Sequence, residues 1–201
     1  MKIYQVETCP FAHRARIVLE EKKLPFEIVY FSPRDRPAEL VALGPDAKSP
    51  TIFDDDGKTS VWSSLVVIEY LDERYPDPPL MPRGAPDRAH ARLLMRDVEE
   101  KLMVVGFSLA QEVVFKPPAE RDESKVQEGL VRLHDALAPW DARLDGKTFL
   151  VGDRFTLADI TLFTPLYSLG KMLGERGDLP TPFGNLRAWH DRVAKRPSTA
   201  Y

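Results

Sequence analysis

The sequence is poor in cysteine, lacks long apolar runs and has no excess of basic residues, and each of these absences argues against a functional class. It contains one cysteine, so neither a disulfide within the chain nor a metal site of four cysteines is possible. Its longest apolar run, residues 102–110, includes Gly106 and Ser108 and is far shorter than the roughly 18 residues that cross a bilayer. Lysine and arginine number 28 against 31 aspartates and glutamates. We therefore expect no membrane partner and no general binding of nucleic acid.

Two further absences bear on location and on metals. Residues 1–4 lead into a polar stretch without the apolar core of a signal peptide, so we expect a cytoplasmic protein. The 4 histidines are scattered along the chain, and no pair has the spacing of a metal site. The sequence therefore predicts no metal centre.

Proline, in contrast, is abundant, and its distribution divides the chain. The 18 prolines among 201 residues amount to about 9%, against about 5% in average proteins. Because proline disfavours helix interiors and stiffens connections, the proline-rich segment 77–86 is predicted to be a linker. It separates a domain of residues 1–76 from a domain of residues 87–201. The apolar share of 43% is enough for a sizeable core.

The first domain alternates strand and helix signals. The predicted order is β-α-β-α-β-β-α, with strands at 2–6, 26–31, 51–53 and 59–62 and helices at 10–21, 38–43 and 63–74. The last two strands flank a glycine-containing turn and form a hairpin. Apolar spacing predicts buried faces on the first and third helices, comprising Ala12, Ala15, Ile17 and Val18 on the first and Val66, Val67, Tyr70 and Leu71 on the third.

The second domain carries only helical patterns. They cover residues 87–114, 123–144, 157–173 and 183–195, with a disturbance expected at Pro139. Thr156 and Asp159 form a pair similar to a capping box before an apolar run, and we assign them to folding. The architecture predicted is an α/β domain followed by an all-α domain.

Five motifs occur in a fixed order along these elements. They are Thr8-Cys9-Pro10-Phe11-Ala12-His13-Arg14, Lys48-Ser49-Pro50-Thr51-Ile52, Val61-Trp62-Ser63-Ser64, Phe155-Thr156-Leu157-Ala158-Asp159-Ile160 and Trp189-His190-Asp191-Arg192-Val193. Together they resemble the cytosolic glutathione S-transferase superfamily over the whole chain. The Cys9-Pro10 start is most similar to cysteine-type members such as the omega class. The resemblance implies a thioredoxin-like domain followed by an all-helical domain, glutathione as co-substrate and a homodimer.

Cys9 is the candidate nucleophile. Pro10 is favoured at the first position of a helix, which places Cys9 where unpaired amides and the helix dipole stabilise an anion. A thiolate at such a position is reactive; the alternative is a buried structural cysteine. By the resemblance, Cys9 forms a mixed disulfide with glutathione. A second glutathione must then resolve it, because the chain has no other cysteine.

Two other segments are predicted to bind glutathione. By the resemblance, the Ser49-Pro50 bond is cis, and the backbone of Ser49 pairs with the cysteinyl part of glutathione; the alternative is an ordinary trans proline. Either Ser63 or Ser64 is predicted to cap the third helix, whose N-terminus suits the γ-glutamyl carboxylate. Ser63 stands where glutathione-binding members carry an acid or amide for the α-ammonium group.

The remaining candidates lie on the first helix and in the loop after the second strand. The resemblance aligns Arg36 with a basic residue that contacts the glycyl carboxylate of glutathione, and Arg34 is the alternative for this role. A third interpretation is that Arg36 is an ordinary solvated charge in a loop. Phe11 is a candidate for the apolar wall of the site. His13 is one helical turn beyond Cys9, and we interpret it as a surface residue rather than as half of a Cys–His pair.

Two functions follow from the resemblance. The first is a glutathione S-transferase-like enzyme that uses Cys9 for glutathione-dependent thiol transfer or conjugation to a small electrophile or disulfide. The alternative is a non-enzymatic regulator associated with RNA polymerase, since residues 69–82 are similar to stringent starvation protein A. Cys9-Pro10 favours the enzyme, whereas Ser63 and the proline-rich linker favour the regulator.

Overall fold

A computed structural model of the chain describes residues 1–173 and 183–200. It divides into two compact units, one formed by Met1–Met81 together with the residues from Pro197 onward and one by Pro82–Arg196. The predicted linker, 77–86, spans this division. The C-terminal residues group with the first unit rather than with the helical domain to which the sequence prediction assigned them. The reason is local packing, because Thr199 is buried and the Ser198 hydroxyl donates a hydrogen bond to the carboxylate of Glu21.

The first unit is built on a four-stranded mixed sheet. Its strands are β1 (Lys2–Gln5), β2 (Glu27–Tyr30), β3 (Thr51–Phe53) and β4 (Ser60–Trp62), and they lie in the order β2-β1-β3-β4. β1 pairs in parallel with β2 and antiparallel with β3, and β3 pairs antiparallel with β4. The predicted strands and hairpin are therefore confirmed. Ile3 of β1 lies opposite Ile28 and Ile52 and is fully buried at the centre of the sheet.

Three helices accompany this sheet. They are α1 (Pro10–Glu21), α2 (Ala38–Ala42) and α3 (Ser64–Arg74), in the places that the apolar periodicity predicts. All four residues predicted for the buried face of α1 are fully buried. The prediction for α3 is wrong in part, because Val66 is 56% exposed and Ile68 is buried in its place. The buried face of α3 is thus centred on Val67, Ile68 and Leu71, which are the positions i, i+1 and i+4 of one helical stripe.

Asp54 ties the end of β3 to the end of α3. It accepts hydrogen bonds from the Tyr70 hydroxyl at 2.5 Å, from the Tyr75 hydroxyl at 2.7 Å and from the Asp55 amide at 2.7 Å. Burial alone raises the pKa of Asp54, but these three hydrogen bonds outweigh it and leave the pKa below its usual value. Burial and the hydrogen bond to Asp54 raise the pKa of Tyr75 to about 12. The hairpin and α3 are therefore joined through an ionised carboxylate.

All the regular secondary structure in the described residues of the second unit is helical. Its α-helices are α4 (Ala85–Asp97), α5 (Val104–Val113), α6 (Glu123–Arg143), α7 (Leu157–Leu173) and α8 (Gly184–Ala194). A π-helical segment, Val98–Met103, joins α4 to α5 without a break, so the helical pattern predicted at 87–114 is continuous but wider in its middle turn. Pro139 lies inside α6, which continues to Arg143.

Asp159 organises the core of the second unit. Its carboxylate accepts from the Leu150 amide at 3.0 Å, from both the amide and the hydroxyl of Thr156 at 2.9 Å, and from the Trp189 indole at 2.9 Å. Burial raises the pKa of Asp159 above its usual value, against the opposing effect of these donors. The assignment of Thr156 and Asp159 to folding agrees with these contacts, since they fix the start of α7. None of the helices within residues 1–173 and 183–200 combines the length and apolar character needed to span a membrane.

Candidate functional site

Cys9 lies at the N-cap of α1. Its backbone is extended, with φ −80° and ψ 114°, and its carbonyl accepts from the amides of Ala12 and His13 at 3.1 Å each. Pro10 occupies the first helical position, where the missing N–H costs nothing. The Cys9 side chain is partly exposed. A partly exposed sulfur at the start of a helix is accessible to the sulfur of another molecule.

The loop before β3 brings a backbone carbonyl to the thiol. The Ser49–Pro50 peptide bond is cis, as the resemblance implied. The Cys9 sulfur lies 3.8 Å from the Ser49 carbonyl oxygen, and the Ser49 hydroxyl accepts from the Val6 amide at 3.0 Å. The hydrogen bond from Val6 attaches this loop to the end of β1. It thereby keeps the Ser49 carbonyl next to the Cys9 thiol. A second cis bond, Asp77–Pro78, has no counterpart in the sequence prediction.

Ser63 and Ser64 begin α3 with different roles. Ser63 is the N-cap residue, as the sequence allowed, and it is exposed. It has φ 69° and ψ 115°, and within the described chain its side chain makes no capping hydrogen bond. A positive φ in a non-glycine residue is strained by roughly 1–3 kcal/mol and is found most often at functional sites. The first amides of α3 are therefore left for another acceptor.

Ser64 is held from behind by a buried arginine. The Arg14 guanidinium donates from Nη1 to the Ser64 hydroxyl oxygen at 3.1 Å. Arg14 is 0% exposed and Ser64 is 6% exposed. The guanidinium also lies 5.2 Å from the centre of the Phe11 ring, within the range of a cation–π contact. Phe11 thus supports Arg14 in addition to its predicted place in the wall of the site.

Sequence reasoning did not single out Arg14 as a functional residue. The available signal was its position, since it occupies the same helical stripe as Ile17 and Val18, both of which are buried. A charge within a buried stripe requires a partner. Its partner Ser64 is 50 residues away in the chain, which the spacing within one helix cannot reveal.

Arg36 closes its own loop. Its Nη2 atom donates to the carbonyls of Leu40 at 3.1 Å, Gly44 at 2.8 Å and Ala47 at 2.6 Å. Arg36 is half-buried, whereas the alternative, Arg34, is exposed. These contacts support a structural role for Arg36, and the contact with a glycyl carboxylate stays a prediction.

His13 is not the surface residue that we expected. It is 1% exposed, because the buried face of α1 includes every residue from Ala12 to Ala15. The wide burial of this turn follows from the packing of α1 against both α3 and the C-terminal turn Pro197–Thr199. In the part of the chain that the structure describes, no three His, Cys, Asp or Glu side chains are grouped as metal ligands would be.

Two kinds of known protein are similar to this chain. Residues 8–74 match the family model of the glutathione S-transferase N-terminal domain, and residues 106–197 match that of the glutathione S-transferase C-terminal domain. A stringent starvation protein A homolog of Haemophilus ducreyi is 30% identical over 159 residues, which are 79% of this chain and 70% of the relative. Glutathione S-transferase GstB of Escherichia coli is 26% identical over 185 residues, which are 90% of this chain and 87% of the relative.

A solved structure gives the same match over nearly the whole chain. The theta class glutathione S-transferase of Xanthomonas axonopodis pv. citri, crystallised with glutathione bound, has a TM-score of 0.85 and 29% sequence identity. The match covers 98% of this chain and 94% of that one. It includes both the sheet-containing unit and the helical unit.

Proposed function

The chain belongs to the glutathione S-transferase superfamily, and from that premise we propose that it is a glutathione-dependent thiol transferase with Cys9 as nucleophile. The observation that carries the proposal is the position of the Cys9 sulfur. It is partly exposed at the N-cap of α1 and lies 3.8 Å from the Ser49 carbonyl. A sulfur that is partly exposed can reach the sulfur of a disulfide, which thiols attack in their thiolate form.

The reaction proceeds by two thiol–disulfide exchanges. The Cys9 thiolate attacks the glutathionyl sulfur of a mixed disulfide, a Cys9–glutathione disulfide forms, and the substrate leaves as a thiolate that takes up a proton. A second glutathione thiolate then attacks the glutathionyl sulfur on Cys9. Oxidised glutathione is released and the Cys9 thiolate is restored. Two glutathiones are needed because Cys9 is the one cysteine of the chain.

Glutathione binds along the surface formed by Cys9, the loop before β3 and the start of α3. The backbone of Ser49, next to the cis bond to Pro50, pairs with the cysteinyl part, which brings its sulfur to Cys9. The γ-glutamyl carboxylate lies at the start of α3, against the Ser64 hydroxyl and the first helical amides. Phe11 and Arg36 complete the site. The solved relative with glutathione bound supports this choice of ligand.

A turnover assay tests the proposal. The parent protein is expected to reduce a small glutathione mixed disulfide with reduced glutathione as the electron donor, and Cys9→Ser is expected to lose this activity. Equal thermal melting of the two proteins is the control for folding. Equal activity in both proteins would exclude Cys9 as the nucleophile.

A second candidate function is regulation without catalysis. Relatives named stringent starvation protein A homolog are 30% and 31% identical, and Ser63 removes the acid or amide that meets the ligand's ammonium group in glutathione-binding members. A regulator associated with RNA polymerase needs neither a bound glutathione nor a reactive thiol. Retention on immobilised glutathione separates the two candidates, because the enzyme is retained and eluted by free glutathione while the regulator passes through.

The proposal also includes an oligomeric state, a second substrate and a cellular location. We propose a homodimer, for which sedimentation at micromolar concentration is the test, and a small electrophile or disulfide as second substrate. The second exchange step draws on a reduced glutathione pool, such as that of the cytoplasm. This requirement supports a cytoplasmic location.

A further inference from the structure

Arg14 and Ser64 form a buried hydrogen bond whose direction is fixed, with the guanidinium as donor and the hydroxyl oxygen as acceptor. A guanidinium has N–H donors and no acceptor, so the 3.1 Å contact between Nη1 and the Ser64 oxygen occupies a lone pair of the hydroxyl. The hydroxyl hydrogen is not used in that contact. It remains available as a donor toward a group on the other side of Ser64.

Burial holds this arrangement in place. Arg14 is 0% exposed and Ser64 is 6% exposed, and the Phe11 ring lies 5.2 Å from the guanidinium carbon. In surroundings of low dielectric constant, a hydrogen bond that begins at a cation polarises the hydroxyl and strengthens the bond that the hydroxyl donates. Arg14 therefore affects an acceptor that it does not itself touch.

The acceptor that best fits the donating Ser64 hydroxyl is an anion. Ser64 is the first residue of α3, the first turn of α3 contains no acidic residue, and the Ser63 side chain does not cap it among the described contacts. A ligand atom at this position meets helix amides, a hydroxyl donor and, behind it, a buried positive charge. A carboxylate matches all three, whereas an amide or ammonium nitrogen presents N–H groups to a hydroxyl that is already engaged as an acceptor.

We infer that Arg14 is the positioning residue that orients the Ser64 hydroxyl as a donor to the γ-glutamyl carboxylate of glutathione. The inference rests on the proposed function, since it takes glutathione as the ligand. It adds that selectivity for a carboxylate at this end of the ligand is set by a residue on α1, through Ser64.

Calorimetric titration with two ligands tests the inference. The ligands are glutathione and 4-aminobutanoyl-cysteinyl-glycine, which lacks only the γ-glutamyl carboxylate. We expect Arg14→Met to weaken glutathione about tenfold, which is the low end for a hydrogen bond that involves a charged group, and to leave the affinity for the analogue unchanged. Arg14→Lys keeps a charged donor and should restore part of the loss. The exposed Arg154, at 68% exposure, provides the control Arg154→Met, for which both affinities should equal those of the parent.

A double-mutant cycle with Ser64→Ala separates positioning from general structure. If Arg14 acts through Ser64, the double variant loses no more glutathione affinity than Ser64→Ala alone. Ser64→Ala with Arg14→Lys gives the same test should Arg14→Met fail to fold. Equal weakening of both ligands, or additive losses in the cycle, would overturn the inference and leave the proposed function intact. A parent protein that binds no glutathione would instead remove the proposed function, and the inference with it.

Discussion

Replacing Lys22 with methionine is expected to destabilise the first unit strongly, because Lys22 is the centre of a buried polar network. Its side chain is 0% exposed. The Nζ atom donates to the Asp72 carboxylate at 2.8 Å and to the backbone carbonyls of Tyr75 at 2.6 Å and Pro78 at 2.8 Å. All three ammonium donors therefore have acceptors.

Asp72 connects the same network to the end of the first unit. It is 6% exposed, and it accepts from the amides of Leu80 at 2.8 Å and Met81 at 3.0 Å as well as from Lys22. Methionine at position 22 leaves the Asp72 charge without its counter-ion and two carbonyls without a donor. Breaking a buried ion pair on one side costs about 3–5 kcal/mol. For a chain of this size that corresponds to a fall in melting temperature of about 6–20 °C.

Urea denaturation followed by circular dichroism measures the effect. The matched control is Lys2→Met, since Lys2 forms an exposed ion pair with Glu27 at 3.7 Å and its loss should change the free energy of unfolding by less than about 1 kcal/mol. The double variant Lys22→Met with Asp72→Leu should recover part of the loss by removing the unpaired charge. A loss at Lys22 no larger than the loss at Lys2 would refute this account of the network.

Two further predictions concern Tyr75 and Ser63. Tyr75→Phe removes a donor to Asp54 and should lower the free energy of unfolding by about 1.5 kcal/mol at pH 7. The pKa of Asp54 is lowered in the folded state, so its contribution to stability is present above the unfolded pKa and is lost as the pH falls through the folded pKa. The free energy of unfolding should therefore change less with pH below about pH 4 in the variant than in the parent, and an unchanged pH dependence would contradict this. Ser63→Glu supplies the missing carboxylate for the ammonium group of glutathione and should tighten binding by roughly one to two decades; calorimetry that shows equal or weaker binding would contradict the placement of the ligand.

The sequence predicted the elements that depend on local pattern. α1 and α7 have the predicted bounds, since proline, apolar spacing and capping residues act within a few positions. The burial of Arg14 and the network of Lys22 were missed because their partners, Ser64 and Asp72, are each 50 residues away. No periodicity within a helix reports such contacts.

The positions in the candidate site were predicted from the sequence, but some of their contacts were not. Cys9, Ser49, Pro50 and Ser64 all belong to the first unit, and the Ser49–Pro50 bond is cis as the resemblance implied. The backbone of Ser63 and the loop contacts of Arg36 could not be foreseen. The first depends on how α3 docks, and the second on where three carbonyls of one loop come together.

The central claim is that Cys9 carries glutathione during turnover, and intact-mass spectrometry tests it most directly. Incubation of the protein with oxidised glutathione at neutral pH should add the mass of one glutathione, and reduced glutathione should remove it. Cys9→Ser should gain no mass under the same conditions. A parent protein that stays unmodified, while its thiol still reacts with a small alkylating reagent, would contradict the claim.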